Sequence, residues 1–261
     1  MLRCLLFLLC IITALQVKAQ KWEFGVQAGA AGYQGDLNQR NPLQVSGSVA
    51  GLLLRYNFNG YLSLKASASK AQIEGADSTS KYVQQRSRNL SFYTPLTEFA
   101  LVGEFNFFEY LPGNGYHNFT PFIYAGIANV NYNPQATYKN QTYDLQPLNT
   151  ERNSALYNKS ALAIPFGAGV KYNVFGKLSL TADVGYRSAY TDYLDDVSGN
   201  YADRQSFANP VGLALSDRSG EHTGVYTGAA GTQRGDGRKR DTYMFFSIGV
   251  SYTFISKNCY Y

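Results

Sequence analysis

A period of two runs through this chain and limits what it can become. Between residues 22 and 254, about eight runs alternate apolar and polar side chains, and short turns and long polar loops join them in alternation. In the last run Met244, Phe246, Ile248, Val250, Tyr252 and Phe254 share one face of a strand, while Tyr243, Phe245, Ser247, Gly249, Ser251 and Thr253 share the other. Residues 178–187 repeat the pattern, with Leu178, Leu180, Ala182, Val184 and Tyr186 opposite Ser179, Thr181, Asp183, Gly185 and Arg187. The first set suits lipid and the second a polar interior.

Candidate strands cover residues 22–32, 46–58, 61–73, 96–107, 120–132, 164–174, 178–190 and 242–254. Each is near the length a tilted membrane-spanning strand needs, about 9 to 11 residues. Asn59-Gly60 and Phe175-Gly176-Lys177 read as tight hairpins, the first with positive φ expected at both turn positions. Residues 108–119 form a medium turn, whereas 33–45, 74–95, 133–163 and 191–241 are long. Loops of that length are unusual in a compact soluble domain, and their placement at one end argues against the alternative of an aromatic-rich β-sandwich. The expected fold is all-β: an eight-stranded antiparallel up-and-down transmembrane β-barrel with long extracellular loops and short periplasmic turns. An even strand number puts both termini in the periplasm of a Gram-negative cell whose outer membrane the chain crosses repeatedly. The 22 Tyr and 16 Phe against one Trp fit aromatic girdles at the two membrane interfaces.

The first residues follow a different rule. Arg3 precedes an apolar stretch from Leu5 to Leu15, and Val17-Lys18-Ala19 supplies a cleavage site, so residues 1–19 are expected to be a signal peptide and 20–261 the barrel domain. About ten apolar residues are too few for a spanning helix. Cys4 and Cys10 fall in the signal, leaving Cys259 without an internal disulfide partner. Leu9 is a poor residue before a lipidated cysteine, which disfavours a lipobox at Cys10. Without Arg3 and Lys18 the balance is 21 basic to 18 acidic side chains, a charge of +3. That mild excess points to neither nucleic acid nor a strongly acidic substrate.

The strand registers place eight charges on the inner face: Glu23, Arg55, Lys65, Glu98, Glu104, Lys171, Asp183 and Arg187, four of each sign. Eight strands enclose a space that side chains fill, so these charges are expected to pair and the barrel to be plugged. The final strand also carries Ser247-x-Gly249-x-x-Tyr252-x-Phe254, similar to the signal by which barrel-assembly machines recognise a last strand, although residues 255–261 follow it.

Chemistry-bearing motifs are sparse. With His117 and His222 as the only histidines, a multi-histidine metal site is impossible from this chain alone. Ser219, Glu221 and His222 are close in sequence but have no supporting spacing for a nucleophile and base. Asp192, Asp195, Asp196 and Asp203 offer calcium-type oxygen ligands without the alternation and glycine of an EF-hand loop, so loop packing is the favoured reading. Arg234-Gly235-Asp236 is discounted as a chance tripeptide. No catalytic residue, cofactor or small-molecule substrate is expected.

Several segments together resemble the PorG-like outer-membrane barrel family. They are Gly29-x-x-x-Tyr33-x-Gly35-Asp36-Leu37-Asn38, Arg88-Asn89-Leu90-Ser91-Phe92, Glu104-Phe105-Asn106-Phe107-Phe108, Thr120-Pro121-Phe122, Tyr143-x-Leu145-Gln146-Pro147-Leu148-x-Thr150-Glu151, Ile164-Pro165-Phe166-Gly167 and Thr191 through Ser198. The tract from Asp192 to Ser198, which includes Tyr193, Asp195 and Asp196, is with its continuation to Tyr201 the most specific part, and Ser216-Asp217-Arg218 and Gln233-Arg234-Gly235 agree with it. The chain departs from the pattern after Glu151, where Arg152-Asn153-Ser154 replaces a glycine-containing stretch. The resemblance implies an outer-membrane component of the type IX secretion system, bound to membrane lipids and to the system's periplasmic ring lipoprotein and partner subunits. On the periplasmic side the expected contact residues are Glu109, Tyr110, Leu111 and Pro112 in the medium turn, with Tyr260 and Tyr261 in the tail.

Overall fold

The computed structural model describes residues 21–39, 41, 43–112 and 117–254. The signal-peptide expectation and the tail residues Tyr260 and Tyr261 lie outside them. Ten strands form: β1 (Lys21–Gln34), β2 (Val45–Asn57), β3 (Leu62–Ala76), β4 (Ser91–Asn106), β5 (Phe119–Tyr132), β6 (Gln135–Tyr138), β7 (Gln141–Asp144), β8 (Ser160–Phe175), β9 (Leu178–Ala189) and β10 (Thr242–Phe254). Eight of them pair antiparallel in the order β3-β2-β1-β10-β9-β8-β5-β4, and β4 pairs back onto β3, which closes the sheet. The result is an eight-stranded up-and-down barrel. β6 and β7 form a small hairpin in the third long loop.

Alternation explains why these residues pair in this register. Along β4 the side chains at Leu96, Glu98, Ala100, Val102, Glu104 and Asn106 are buried in the interior, and the intervening Phe99, Leu101 and Phe105 are exposed. The exposed set continues around the barrel through Trp22, Phe24, Leu52, Leu64, Ile123, Ile127, Phe166, Leu180, Ile248, Val250 and Phe254. Ile248 is 68% exposed although its neighbours in the strand pack inward. An apolar outside around a polar inside is the inverse of a soluble barrel and the arrangement of a transmembrane one. No helix among the described residues is long and apolar enough to cross a membrane.

Short connections lie at the end where β1 begins and β10 finishes, and the four long loops lie at the other. The turn after β2 differs from the sequence expectation, because neither Asn59 nor Gly60 takes positive φ. The Asn59 side chain accepts from the Tyr61 and Leu62 amides instead, both at 2.8 Å, and a four-residue loop results. Gly60 is needed for another reason: a Cβ there would sit 2.5 Å from Glu109 Cγ in the medium turn. The β8–β9 turn does use a left-handed glycine, Gly176 at φ +50°.

The lower half of the barrel holds a charged network. Arg55 joins Glu23 and Glu104, each at 2.7 Å, and Lys171 reaches Glu104 at 2.6 Å. Lys65 approaches Glu104 at 3.4 Å, while Asn57 and Ser251 donate to Glu23 at 2.7 and 2.9 Å. Higher up, Glu98 accepts from Tyr243 at 2.6 Å and lies 3.4 Å from Arg187, whose guanidinium stacks 4.1 Å over Phe245. Asp183 is only partly buried and accepts from Tyr124 at 3.1 Å. The remaining cross-section is occupied by Val102, Phe122 and Tyr124.

Tyr110 is corrected by the structure. It is 2% exposed, turns inward from the medium turn and donates to Ser179 at 2.7 Å, closing the lower mouth of the barrel. Pro112 is also buried, whereas Glu109 and Leu111 keep partial exposure. An aromatic ring beside the barrel mouth buries its apolar face by entering it, while its hydroxyl keeps a hydrogen-bond partner.

Two outcomes test this interior. Arg55→Ala leaves Glu23 and Glu104 buried without their shared partner, which destabilises the barrel by about 3–5 kcal/mol; the urea midpoint for loss of the folded band in unheated gel electrophoresis measures it. In planar bilayers the purified barrel gives no steady open-channel conductance steps, and such steps would contradict the plugged interior.

Candidate functional site

The long loops fold into a single cap over the upper rim. Its apolar floor is continuous with the upper barrel: Leu37, Leu90, Phe92, Val130, Tyr132, Ala136, Leu145, Leu194, Val197, Leu215, Tyr243 and Phe245 form one buried cluster. Helical turns fix parts of the loops. These are α1 (Val83–Arg88) in the second loop, and α2 (Pro210–Ser216) and α3 (Gly220–Thr223) in the fourth. Asn209 caps α2 by accepting from the Val211 amide at 2.9 Å, with Pro210 at its first position.

Two arginines tie the loops together. Arg88 makes a bidentate pair with Asp77, both bonds 2.7 Å, and donates to the Arg234 carbonyl at 2.5 Å and the Asp36 carbonyl at 3.0 Å. Arg234 pairs with Glu151 at 3.0 Å and donates to the carbonyls of Asp196 at 2.9 Å and Ser216 at 3.1 Å. Glu151 also accepts from the Ser198 and Gly199 amides at 2.9 and 3.0 Å. A planar fork with five donors is suited to such multi-loop junctions, and a lysine at either position could not replace it. Because Arg234 is 3% exposed, the Arg-Gly-Asp tripeptide is part of the cap's interior and is not displayed.

The tract from Asp192 to Asp196 runs through the middle of this cap. Tyr33 donates a hydrogen bond to Asp195, which also accepts from the Val197 amide at 2.9 Å. Asp196 accepts from Thr150 at 2.5 Å and Tyr157 at 2.6 Å, and the Tyr157 ring stacks on Tyr193 at 4.4 Å. Arg218 bonds Ser91 at 2.9 Å and Glu221 at 2.8 and 3.0 Å. Ser219 donates to Asp217 at 2.6 Å and accepts from the Thr227 amide at 2.8 Å. Asp203 stands apart, accepting from the Gln205 amide at 3.0 Å.

Asp36 and Asp241 come from far away in sequence to join Asp192. One carboxylate oxygen from each of the three lies within 4.8 Å of the others, and all three residues are buried. Burial pushes Asp36 up to about 7, with further upward pressure from Asp236 and Asp192. Burial raises Asp192 to about 6, with Asp236 and Glu151 adding to it. Burial, with repulsion from Asp241 and Asp36, drives Asp195 well above the usual carboxylate range, and burial with repulsion from Asp36 and Asp192 does the same for Asp241. Asp196 is lifted by burial to about 6 against the opposing pull of Arg234, Thr150 and Tyr157.

Residues 2–232 match the sequence profile of a family described as a domain of unknown function, DUF6089. The chain belongs to that family. No curated protein matches it. Among solved structures it is similar to Neisserial surface protein A, with 10% identity over 89% of this chain and 97% of that one and a TM-score of 0.44. It is also similar to Ail of Yersinia pestis, crystallised with the heparin analogue sucrose octasulfate (10% identity, 91% and 100% covered, TM-score 0.43). The N-terminal β-barrel domain of Pseudomonas aeruginosa OprF is similar at 13% identity, with 91% and 100% covered and a TM-score of 0.40. Closure of the DUF6089 barrel rests on its own strand pairing.

Of the loop residues singled out from sequence, the cap brings Asp192, Tyr193, Asp195 and Asp196 together and sets Arg218 at its edge. Sequence reading did not single out Arg88, Glu151, Arg234 and Tyr157 as a group, although the first three fall in the family-like segments. Asp241 lies outside every such segment. Arg152 holds φ +53° at the point of departure from the PorG-like pattern, where a glycine adopts the left-handed region without strain.

The raised Asp196 gives the cap a pH dependence of known sign. A carboxyl with a folded pKa above its unfolded value binds more protons in the folded state. Its contribution is full below about 4 and is lost as pH rises to about 6. Asp196→Asn removes this slope. Between pH 4 and 7, the opening free energy of cap amides, read by hydrogen exchange, falls by about 2–3 kcal/mol more in the wild type than in the variant.

Proposed function

We propose that this DUF6089 protein is an outer-membrane barrel that serves as an anchor or scaffold of the type IX secretion system, acting by binding. The observation that carries this reading is the convergence of the PorG-like segments. Asp36 of the first loop, Arg88 of the second, Glu151 of the third, and Asp192–Ser198, Asp217 and Arg234 of the fourth interlock in one cap. Residues that resemble a family because of loop flexibility would have no reason to meet. A cap joined by buried arginine forks is rigid, and rigid loops on a barrel make a binding surface.

The sealed lumen supports the same reading. With Tyr110 and the Glu104 network filling the lower barrel, cargo has no route through this chain, and a role in secretion is therefore carried by its surfaces. The periplasmic contact to the ring is assigned to Glu109 and Leu111, which keep partial exposure where Tyr110 and Pro112 are buried, together with the tail. A second reading, a stand-alone barrel for surface adhesion or lipid binding, uses the same cap without a ring.

Cross-linking in intact cells, gentle solubilisation and mass spectrometry of proteins recovered with the barrel test the assignment. The expected result is a periplasmic ring lipoprotein recovered in stoichiometric amount, with loss of cargo export when the gene is deleted. Recovery of the barrel alone from cells that contain the ring, with export intact, would favour the stand-alone reading.

A further inference from the structure

The upper rim holds a group of carboxylates with no salt bridge among the described residues. Asp36 is 1% exposed and Asp192 9% exposed, yet Asp36 Oδ2 and Asp192 Oδ1 have no hydrogen-bond partner among the described residues. Both residues belong to the group whose oxygens, with one from Asp241, lie within 4.8 Å of one another. The nearby arginines are committed elsewhere: Arg88 to Asp77, Arg234 to Glu151 and Arg238 to Asp236. A buried carboxylate oxygen without donor or cation is costly, and two residues with such an atom, grouped with a third carboxylate, point to a missing positive partner.

We propose that Asp36, Asp192 and Asp241 form a calcium site that pins the first and fourth loops to the start of β10. Several features favour this ion. All three ligands are hard carboxylate oxygens, which select calcium or magnesium over zinc and copper. The three oxygens lie within 4.8 Å of one another, close enough to share one ion, and magnesium usually keeps several waters and is seldom held by a dedicated protein cage, which favours calcium. Two glycines let the backbone approach these carboxylates closely. A Cβ on Gly35 would come 2.0 Å from Asp241 Oδ1, and one on Gly235 would come 2.8 Å from Asp36 Oδ1. The Asp236 amide donates to Asp36 Oδ1 and helps to hold that carboxylate in place.

The ligands come from three separate places in the chain: the end of β1, the loop after β9 and the residue before β10. Calcium would therefore cross-link the rim across the seam where the first and last strands meet. The inference is independent of the secretion role, and neither result below bears on ring binding.

The test uses the full chain, folded in detergent and freed of divalent ions. Calorimetric titration with calcium chloride should give one bound ion per chain with submillimolar affinity, weakened at least tenfold in Asp192→Asn and in Asp241→Asn. Asp203→Asn, outside the group, should bind as the wild type does. Calcium should also slow hydrogen exchange at the Leu194 amide, which donates to Asp241 Oδ2 at 3.0 Å, by about tenfold. Absence of binding by the folded wild type at about 2 mM calcium, above the range of extracellular modules, would overturn the proposal. So would unchanged binding in both variants, since it would put the ion elsewhere. Retention of the heat-sensitive folded band identifies variants that fold, and the wild-type titration decides the matter if none does.

Discussion

Everything in this molecule follows from closure of the sheet between its first and last strands. β1 and β10 pair along thirteen residues, from Trp22 opposite Phe254 to Gln34 opposite Thr242. In hydrocarbon no water can satisfy an open strand edge, so the pairing has no substitute. The seam is tight: Cβ atoms on Gly25 and Gly29 would fall 2.5 and 1.8 Å from carbonyl oxygens of β10. Closing with only eight strands then leaves an interior too narrow for a water channel. Polar groups that alternation sends inward must find each other.

That requirement divides the interior into two halves with different chemistry. Below, Glu104 sits at the centre of Arg55, Lys65 and Lys171, and Tyr110 covers the mouth. Above, apolar side chains such as Tyr132, Leu194 and Phe245 carry the barrel core into the loops without a break. The charged half specifies register, because a one-residue slip of β2 or β4 would turn Arg55 or Glu104 into lipid. The apolar half gives the loops something to fold on, and so the cap is an extension of the barrel's core.

The strand pattern was legible in sequence because lipid outside and side chains inside impose a period of two that no local accident can imitate over eight runs. The inner-face positions of Glu23, Arg55, Glu104 and Lys171 follow from the same count. Other features were hidden for identifiable reasons. Tyr110 sits in a turn whose composition looks exposed, and only the open mouth beside it draws the ring inward. The β6–β7 hairpin and α1 are held by tertiary packing over short stretches, where periodicity carries little signal. Asn59-Gly60 has the composition of a two-residue turn, but the side chain of Asn59 stabilises a longer one. Asp36, Asp192 and Asp241 are 156 and 49 positions apart along the chain, so their meeting depends on strand closure and cannot be read from local spacing.

The barrel and the cap treat charge in opposite ways, and the contrast identifies where something external is needed. The lumen holds four acids and four bases, and its buried members sit in ion pairs or hydrogen bonds of 2.6–3.4 Å. Such a network is self-sufficient, and its value lies in register more than in stability. At the rim, the arginines that could neutralise Asp36, Asp192 and Asp241 are turned toward backbone carbonyls and other acids, where they join the loops. The same side chains cannot do both. A cap built by spending its cations on loop cohesion leaves a pocket of negative charge at the seam, and its order then depends on protons or a bound cation supplied from outside the chain.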